Sequence, residues 1–262
     1  MARLNERVWG YVGRRQRLKV AFGRFNHAWP SSQRCRDCGS PFRGPFAVPY
    51  RAFGITPAQM NPNFCKLCYL QSPLEGAEQE ITALFVDVRG FTQLSQTVSP
   101  TQLTDLMNEF YRVAAAAVIA QDGHVDKFVG DQIMAYFGPP YVADAHALRA
   151  VQAAIDIVSG VAALDAGFET GAGVATGIAR IGPIGGSGVQ DYTVLGNVVN
   201  LASRLQGEAA AGEILLTEPT YEQIAVQFPG LAVRSFELKG IEGITRCRVL
   251  DTVAAREGSD SQ

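Results

Sequence analysis

The sequence predicts an α+β fold, a sheet covered by helices, preceded by a small segment that needs a metal to hold its shape. Three observations carry this reading. From about residue 78, short apolar runs of strand character alternate with stretches of helical spacing, and some neighbouring strands are joined by tight turns. Two C-x2-C pairs stand before that point, in a stretch dense in proline and glycine. Charge divides at the same place: residues 1–80 carry 12 Lys and Arg against 5 Asp and Glu (+7), and residues 81–262 carry 11 against 20 (−9).

Those halves nearly cancel over 262 residues, to −2, so net charge alone predicts neither a nucleic-acid nor a membrane partner. With 47% hydrophobic and 18% charged residues, disorder is excluded. No run reaches the roughly 18 apolar residues of a transmembrane helix, and no secretory leader pattern follows the basic N-terminus. Five cysteines, four of them clustered, argue against a secreted disulfide framework and for the reducing cytoplasm.

Residues 1–27 read as a basic amphipathic helix, with Leu4, Val8, Tyr11, Leu18, Phe22 and Phe25 on one heptad stripe that Arg15 interrupts. Packing on its own domain, a dimerising coiled coil and a membrane-surface helix all suit it. Residues 28–77 form the cysteine segment and linker. Within 78–252, strands are expected at 81–86, 123–129, 132–137, 170–181, 191–195, 214–217, 231–238 and 245–250. Helices are expected at 101–120, 143–164 and 197–206. The glycine-rich stretch 182–188 reads as a loop, and residues 253–262 as a flexible tail.

Cys35, Cys38, Cys65 and Cys68 form two knuckles separated by 26 residues. Two knuckles supply the four thiolates of a closed tetrahedral zinc site, structural rather than catalytic. An iron centre and a redox dithiol pair are the alternatives. The basic surroundings allow a nucleic-acid or protein contact, although no run of Arg and Lys interleaved with aromatics supports it.

Asp87 ends an apolar strand in Phe85-Val-Asp-Val-Arg-Gly-Phe-Thr92, and the N–H groups of Phe91 and Thr92 open a helix where a phosphate can sit. Asp131 follows 44 residues later in a hairpin turn. Each aspartate alone is accounted for by a cap or a turn; as a pair at adjacent strand ends they can hold one or two Mg²⁺ ions.

These segments resemble those of the class III nucleotidyl cyclases, the adenylate and guanylate cyclase catalytic domains. FVDVRGFT (85–92), KFVGDQIMAYFG (127–138), GVATGIARIG (173–182) and DYTVLGNVVNLASRL (191–205) stand in the family's order and cover, with their spacers, about two thirds of the chain. Residues 1–77 have no such likeness.

The resemblance implies a ferredoxin-like α+β domain with a mostly antiparallel sheet. It implies that Asp87, Asp131 and the Val88 carbonyl hold two Mg²⁺ or Mn²⁺ ions. Lys127 and Thr193 would read the base, Asn200 would orient the ribose, Arg204 would stabilise the pentavalent phosphorus, and Lys239 would contact the outer phosphates. The Lys/Thr pair resembles the threonine-bearing adenylate cyclases, which implies ATP as substrate, with GTP or a pyrimidine triphosphate as alternatives. Because metal and base residues face each other across two subunits in this family, a homodimer with two composite sites is implied. Stretch 182–190 would then be an arm across the dimer. No histidine is needed, so His27, His124 and His146 are expected to be structural, and Cys247 to be buried in a strand. A nucleotide-binding module without turnover is the competing function.

Overall fold

A computed structural model of the chain describes residues 26, 30–35, 38–58, 62, 65–67, 76–139, 142, 145–164, 166–186 and 189–252. The chain divides into two compact units, Met1–Leu74 and Glu75–Gln262. The helix expected over 1–27 lies outside the described residues except for Asn26, and so do Cys68, His27 and the tail 253–262.

In the first unit a tight turn at Cys35–Ser40 is closed by Gly39 N–H to Cys35 O (2.8 Å) and Cys35 N–H to Ser40 O (2.9 Å). Gly39 sits at φ 71°, a conformation that costs glycine least. Helix α1 (Ala47–Ala52) follows, and Cys65 pairs with Pro57 through an isolated bridge. The buried Asn26 ties the turn to α1: it donates to Cys38 O (2.6 Å) and accepts from the Tyr50 hydroxyl (2.5 Å).

The second unit is an eight-stranded, mostly antiparallel sheet. Its strands are β1 (Ala77–Val88), β2 (His124–Val129), β3 (Gln132–Phe137), β4 (Thr170–Gly186), β5 (Val189–Leu195), β6 (Glu213–Thr217), β7 (Ala232–Glu237) and β8 (Ile244–Asp251). The order is β2-β3-β1-β4-β6-β8-β7, with β5 paired to β4 and only β4–β6 parallel. Helices α2 (Phe91–Thr97), α3 (Pro100–Ala120), α4 (His146–Ala162), α5 (Asn197–Glu208) and α6 (Glu218–Ile224) complete it.

Alternation along β1 decides which helix meets which face. Ile81, Ala83 and Phe85 point to one side and pack with Val198 and Ala202 of α5. On the other side the buried Thr82 bonds His146 Nδ1 of α4 (2.8 Å) and Thr176 of β4 (2.8 Å). Strand β1 is longer than expected because Ala77–Glu80, polar and half-exposed, still pair with β4 from Ile181 to Ile178.

Two features of β4 depart from the sequence reading. A Cβ on Gly173 would lie 2.2 Å from Ala202 O and 2.3 Å from Gln206 N, so the glycine lets the α5 backbone rest directly on the sheet. The strand also runs on to Gly186 and pairs with β5 from Arg180↔Leu195 to Gly186↔Val189. Residues 182–186, expected in a loop, are therefore strand, paired with residues 189–193. Backbone pairing needs no side chain, and a glycine-rich stretch hides it from apolar patterning. The expected histidine and cysteine roles fit: His124 and Cys247 are buried, and burial lowers the His124 pKa to about 3 and raises that of Cys247 to about 11.

Candidate active site

The same alternation that aims Phe85 at α5 aims Asp87 there, one step beyond the apolar core. Asp87 pairs in register with Gln132 of β3, and Val88 N–H donates to Asp131 O (3.2 Å), so the ends of β1 and the β2–β3 turn are stitched together. The Tyr111 hydroxyl of α3 donates to Gly130 O in the same turn and stacks on Phe128 (4.4 Å between centroids), which holds Asp131 in place.

Around this pair stand residues the sequence reading did not name. Gln206, at the end of α5, donates to Asp87 Oδ2 (3.0 Å) and accepts from Gln132 Nε2 (2.7 Å). Arg89 donates to Gln206 O (2.5 Å), its guanidinium lying against Gly171, where a Cβ would come within 2.6 Å of it. Burial lowers the Arg89 pKa, and the charges of Asp87 and Asp131 oppose that shift. Asp87 Oδ1 is buried with no donor. Burial first, then a hydrogen bond and charge repulsion with Asp131, raise the Asp87 pKa to about 6. A half-buried carboxylate pair with one orphaned, inaccessible oxygen fits a divalent cation.

That shift has a stability consequence. A raised carboxyl pKa means the fold binds the proton more tightly than the unfolded chain does. The benefit is full below the ordinary value near 4 and is lost as pH rises through about 6. Without added divalent cation at pH 7.5, Asp87→Asn is expected to stabilise the protein by about 1 kcal/mol after solvent screening, a rise of about 2–4 °C in Tm. The difference should close near pH 4, as thermal denaturation at the two pH values would show.

A second cluster lies on β2 and β5. The register of β2 on β3 slips between Val125 and Lys127, leaving Asp126 as a bulge. Lys127 then pairs with Met134, whose side chain belongs to the α5-facing core. Thr193 Oγ1 donates to Asp126 Oδ2 (2.8 Å), and Lys127 Nζ lies 3.4 Å from the same oxygen and 2.5 Å from Asp191 Oδ2. Burial raises the Asp126 pKa against the pull of Thr193 and Lys127, and the Asp191 hydrogen bond raises that of Lys127. Lys127 and Thr193 are thus brought together, with two carboxylates beside them that attention to those two positions alone overlooked.

The remaining predicted residues stand apart. Asn200 and Arg204 are exposed, one turn apart on α5. Phe91 and Thr92 open α2 after Gly90 (φ 71°), and as first N–H groups of a helix they have no intrahelical acceptor. Lys239 is exposed beyond β7, at the sheet edge opposite β2. Among the described residues, no hydrogen bond or ion pair joins the Asp87–Asp131 cluster to the Lys127–Thr193 cluster.

In the first unit the sulfurs of Cys35, Cys38 and Cys65, all buried, lie within 4.8 Å of one another. Cys38 and Cys65 are 3.8 Å apart, and Cys65 N–H donates to Cys35 Sγ (3.2 Å). Metal–sulfur bonds of about 2.3 Å in a tetrahedron give sulfur–sulfur edges of about 3.8 Å, so this pair matches a zinc–thiolate edge.

Among the described residues no helix is long and apolar enough to cross a membrane. Residues 75–251 match the family described as "Adenylate and Guanylate cyclase catalytic domain". The chain is 32% identical to adenylate cyclase 1 of Rhizobium meliloti over 137 residues, 49% of this chain and 21% of that protein. It is 30% identical to an adenylate cyclase of Anabaena cylindrica over 156 residues, 56% of this chain and 31% of that one. The chain therefore matches less than a third of the length of either relative. Among solved structures, the adenylyl cyclase CyaB of P. aeruginosa superposes with a TM-score of 0.62 at 33% identity, over 68% of this chain and 97% of that one. The guanylyl cyclase Cya2 gives 0.58 at 28% identity, over 66% and 92%. The family match spans well over half the sequence and its fold is the one described above: the chain belongs to the class III nucleotidyl cyclases.

Proposed function

We propose that the chain is an adenylate cyclase, converting ATP to 3′,5′-cyclic AMP and pyrophosphate at composite sites of a homodimer. The observation that carries this is the half-buried Asp87–Asp131 pair, with Asp87 Oδ1 itself buried and lacking a donor and the Asp87 carboxyl pKa raised to about 6.

Asp87, Asp131 and the Val88 carbonyl would hold Mg²⁺ or Mn²⁺. Bound there, the ions would lower the pKa of the ribose 3′-OH and offset charge on the leaving pyrophosphate. Gln206 and Arg89 orient Asp87 and temper the repulsion between the two carboxylates. The cyclisation itself is an in-line attack of the 3′-OH on the α-phosphate and needs positioning more than a covalent nucleophile.

Asn200 orients the ribose, and the Arg204 guanidinium neutralises charge building on phosphorus. Lys239 binds the outer phosphates, aided by the Phe91 and Thr92 N–H groups. Lys127 donates to adenine N1, and Thr193 accepts from the N6 amine. Among the described residues no hydrogen bond or ion pair joins the two clusters, and Asn200 and Arg204 are exposed, which supports completion of each site by a second copy. The β4–β5 pair is the element proposed to reach across.

The cysteine knuckles are proposed to bind one structural zinc per chain, with Cys68 the fourth ligand. Such thiolates suit a reducing cytoplasm. The proposed unit boundaries are the metal-binding segment 28–77 and the catalytic domain 78–252.

A product assay with ATP, GTP, CTP and UTP, each with Mn²⁺ or Mg²⁺, tests the reading. Cyclic AMP should dominate. Dominant cyclic GMP would reassign the substrate, and no cyclic product from any of the four would leave a nucleotide-binding module instead.

A further inference from the structure

We propose that Asp126 sets the hydrogen-bonding polarity of Thr193, and thereby makes this chain select a base edge with an exocyclic amine over one with a carbonyl. The inference rests on the cyclase reading above and names what would discriminate adenine from guanine within it.

The placement of Asp126 is unusual for its position in a strand. Regular alternation would send Asp126 and Lys127 to opposite faces of the sheet. The bulge removes Asp126 from the ladder and turns Lys127 onto the Met134 face, so the two consecutive side chains meet. Bulges re-aim side chains in this way and cost a ladder bond to do so. The Asp126 side chain is fully buried, and its Oδ1 finds no donor. A buried carboxylate with an unmet oxygen is expensive, so it is poorly explained as a fold element alone.

Its bonded oxygen defines what its neighbours can offer. An ionised carboxylate only accepts, so the single Thr193 proton is committed to Asp126 Oδ2 at 2.8 Å. The Thr193 oxygen then faces a ligand with lone pairs alone. Lys127 has three protons; one goes to Asp191 at 2.5 Å and one points toward Asp126 at 3.4 Å. One donor is left. An acceptor-only oxygen beside a single donor complements the N6 amine and N1 lone pair of adenine. Guanine presents the reverse, an O6 acceptor and an N1 hydrogen, and meets two mismatches.

The test is the ratio of ATP to GTP affinity, measured by titration calorimetry with Ca²⁺ on the full-length protein, so that it is read whether or not turnover occurs. Wild type should favour ATP. Asp126→Asn can turn its amide to donate to Thr193, freeing the hydroxyl toward the base, and the preference should fall about 10-fold or more. In a Thr193→Val background the same change should move the ratio by less than about 2-fold, since Asp126 acts through that hydroxyl. Asp126→Ala, which removes the buried charge together with the acceptor, carries the same expectations if the asparagine variant does not fold. An unaltered ratio in the Asp126 variants, an effect that persists without the Thr193 hydroxyl, or a wild type with no ATP preference each overturns the proposal. Wild type that favours ATP yet forms no cyclic product defeats the cyclase reading and leaves this selectivity standing.

Discussion

Asp87→Ala and Arg204→Ala are each expected to lose at least 10²-fold in cyclic AMP formation, and an equimolar mixture of the two to recover about a quarter of the wild-type rate. The single losses follow from charge. Asp87 is half of the carboxylate pair that would hold the cations, and Arg204 is the exposed guanidinium on the helix that covers that pair. The recovery follows from geometry. If each site takes its acidic pair from one copy and Arg204 from the other, a mixed dimer places both lesions in one site and leaves the second intact. Random exchange makes half of the dimers mixed, each with one working site of two. Activity is read on the separate proteins and on the mixture after incubation. A mixture no better than its components would show that both residues serve the same site from the same chain.

The second large effect concerns the cysteine unit. Metal analysis of the full-length protein is expected to find one zinc per chain, and Cys35→Ser to abolish it. The 30–67 region should then become accessible to limited proteolysis. This segment has little apolar surface of its own, and its turn is held by a handful of backbone bonds. Structural zinc in small thiolate modules contributes on the order of 10 kcal/mol or more, which exceeds what such a unit can gain from burial. Iron in place of zinc, seen by colour and metal content, would change the element but not the site. Full protease resistance in a metal-free Cys35→Ser protein would remove the metal from the folding of this unit.

Only the acidic part of the candidate site is legible in the sequence from local rules. Asp87 follows from an apolar strand meeting a turn, and Asp131 from a hairpin. Lys127, Thr193, Asn200 and Arg204 came through resemblance, not periodicity. What stayed hidden has physical reasons. Gln206 lies at the end of a helix, and nothing local says that helix ends over Asp87. Arg89 stands inside the recognised FVDVRGFT segment, but its partner is a carbonyl more than a hundred residues on. The Asp126 bulge is a mismatch in strand counts, visible only once β3 is laid beside β2. The pairing of β4 with β5 was missed because glycines pair by backbone and leave no apolar trace.

The glycine at position 173 has a bearing on how such an enzyme can be controlled. With the α5 backbone lying on the strand at less than a side chain's width, the helix has no slack to slide or roll over the sheet. Its far end is further pinned to Asp87 through Gln206. One rigid body therefore carries the acidic pair together with the helix bearing Asn200 and Arg204. Signals that raise or lower turnover have little to adjust inside such a body. In the proposed homodimer such signals would act on how two of these bodies meet, which would make the rate a property of an angle and a gap between copies rather than of any residue's position within one.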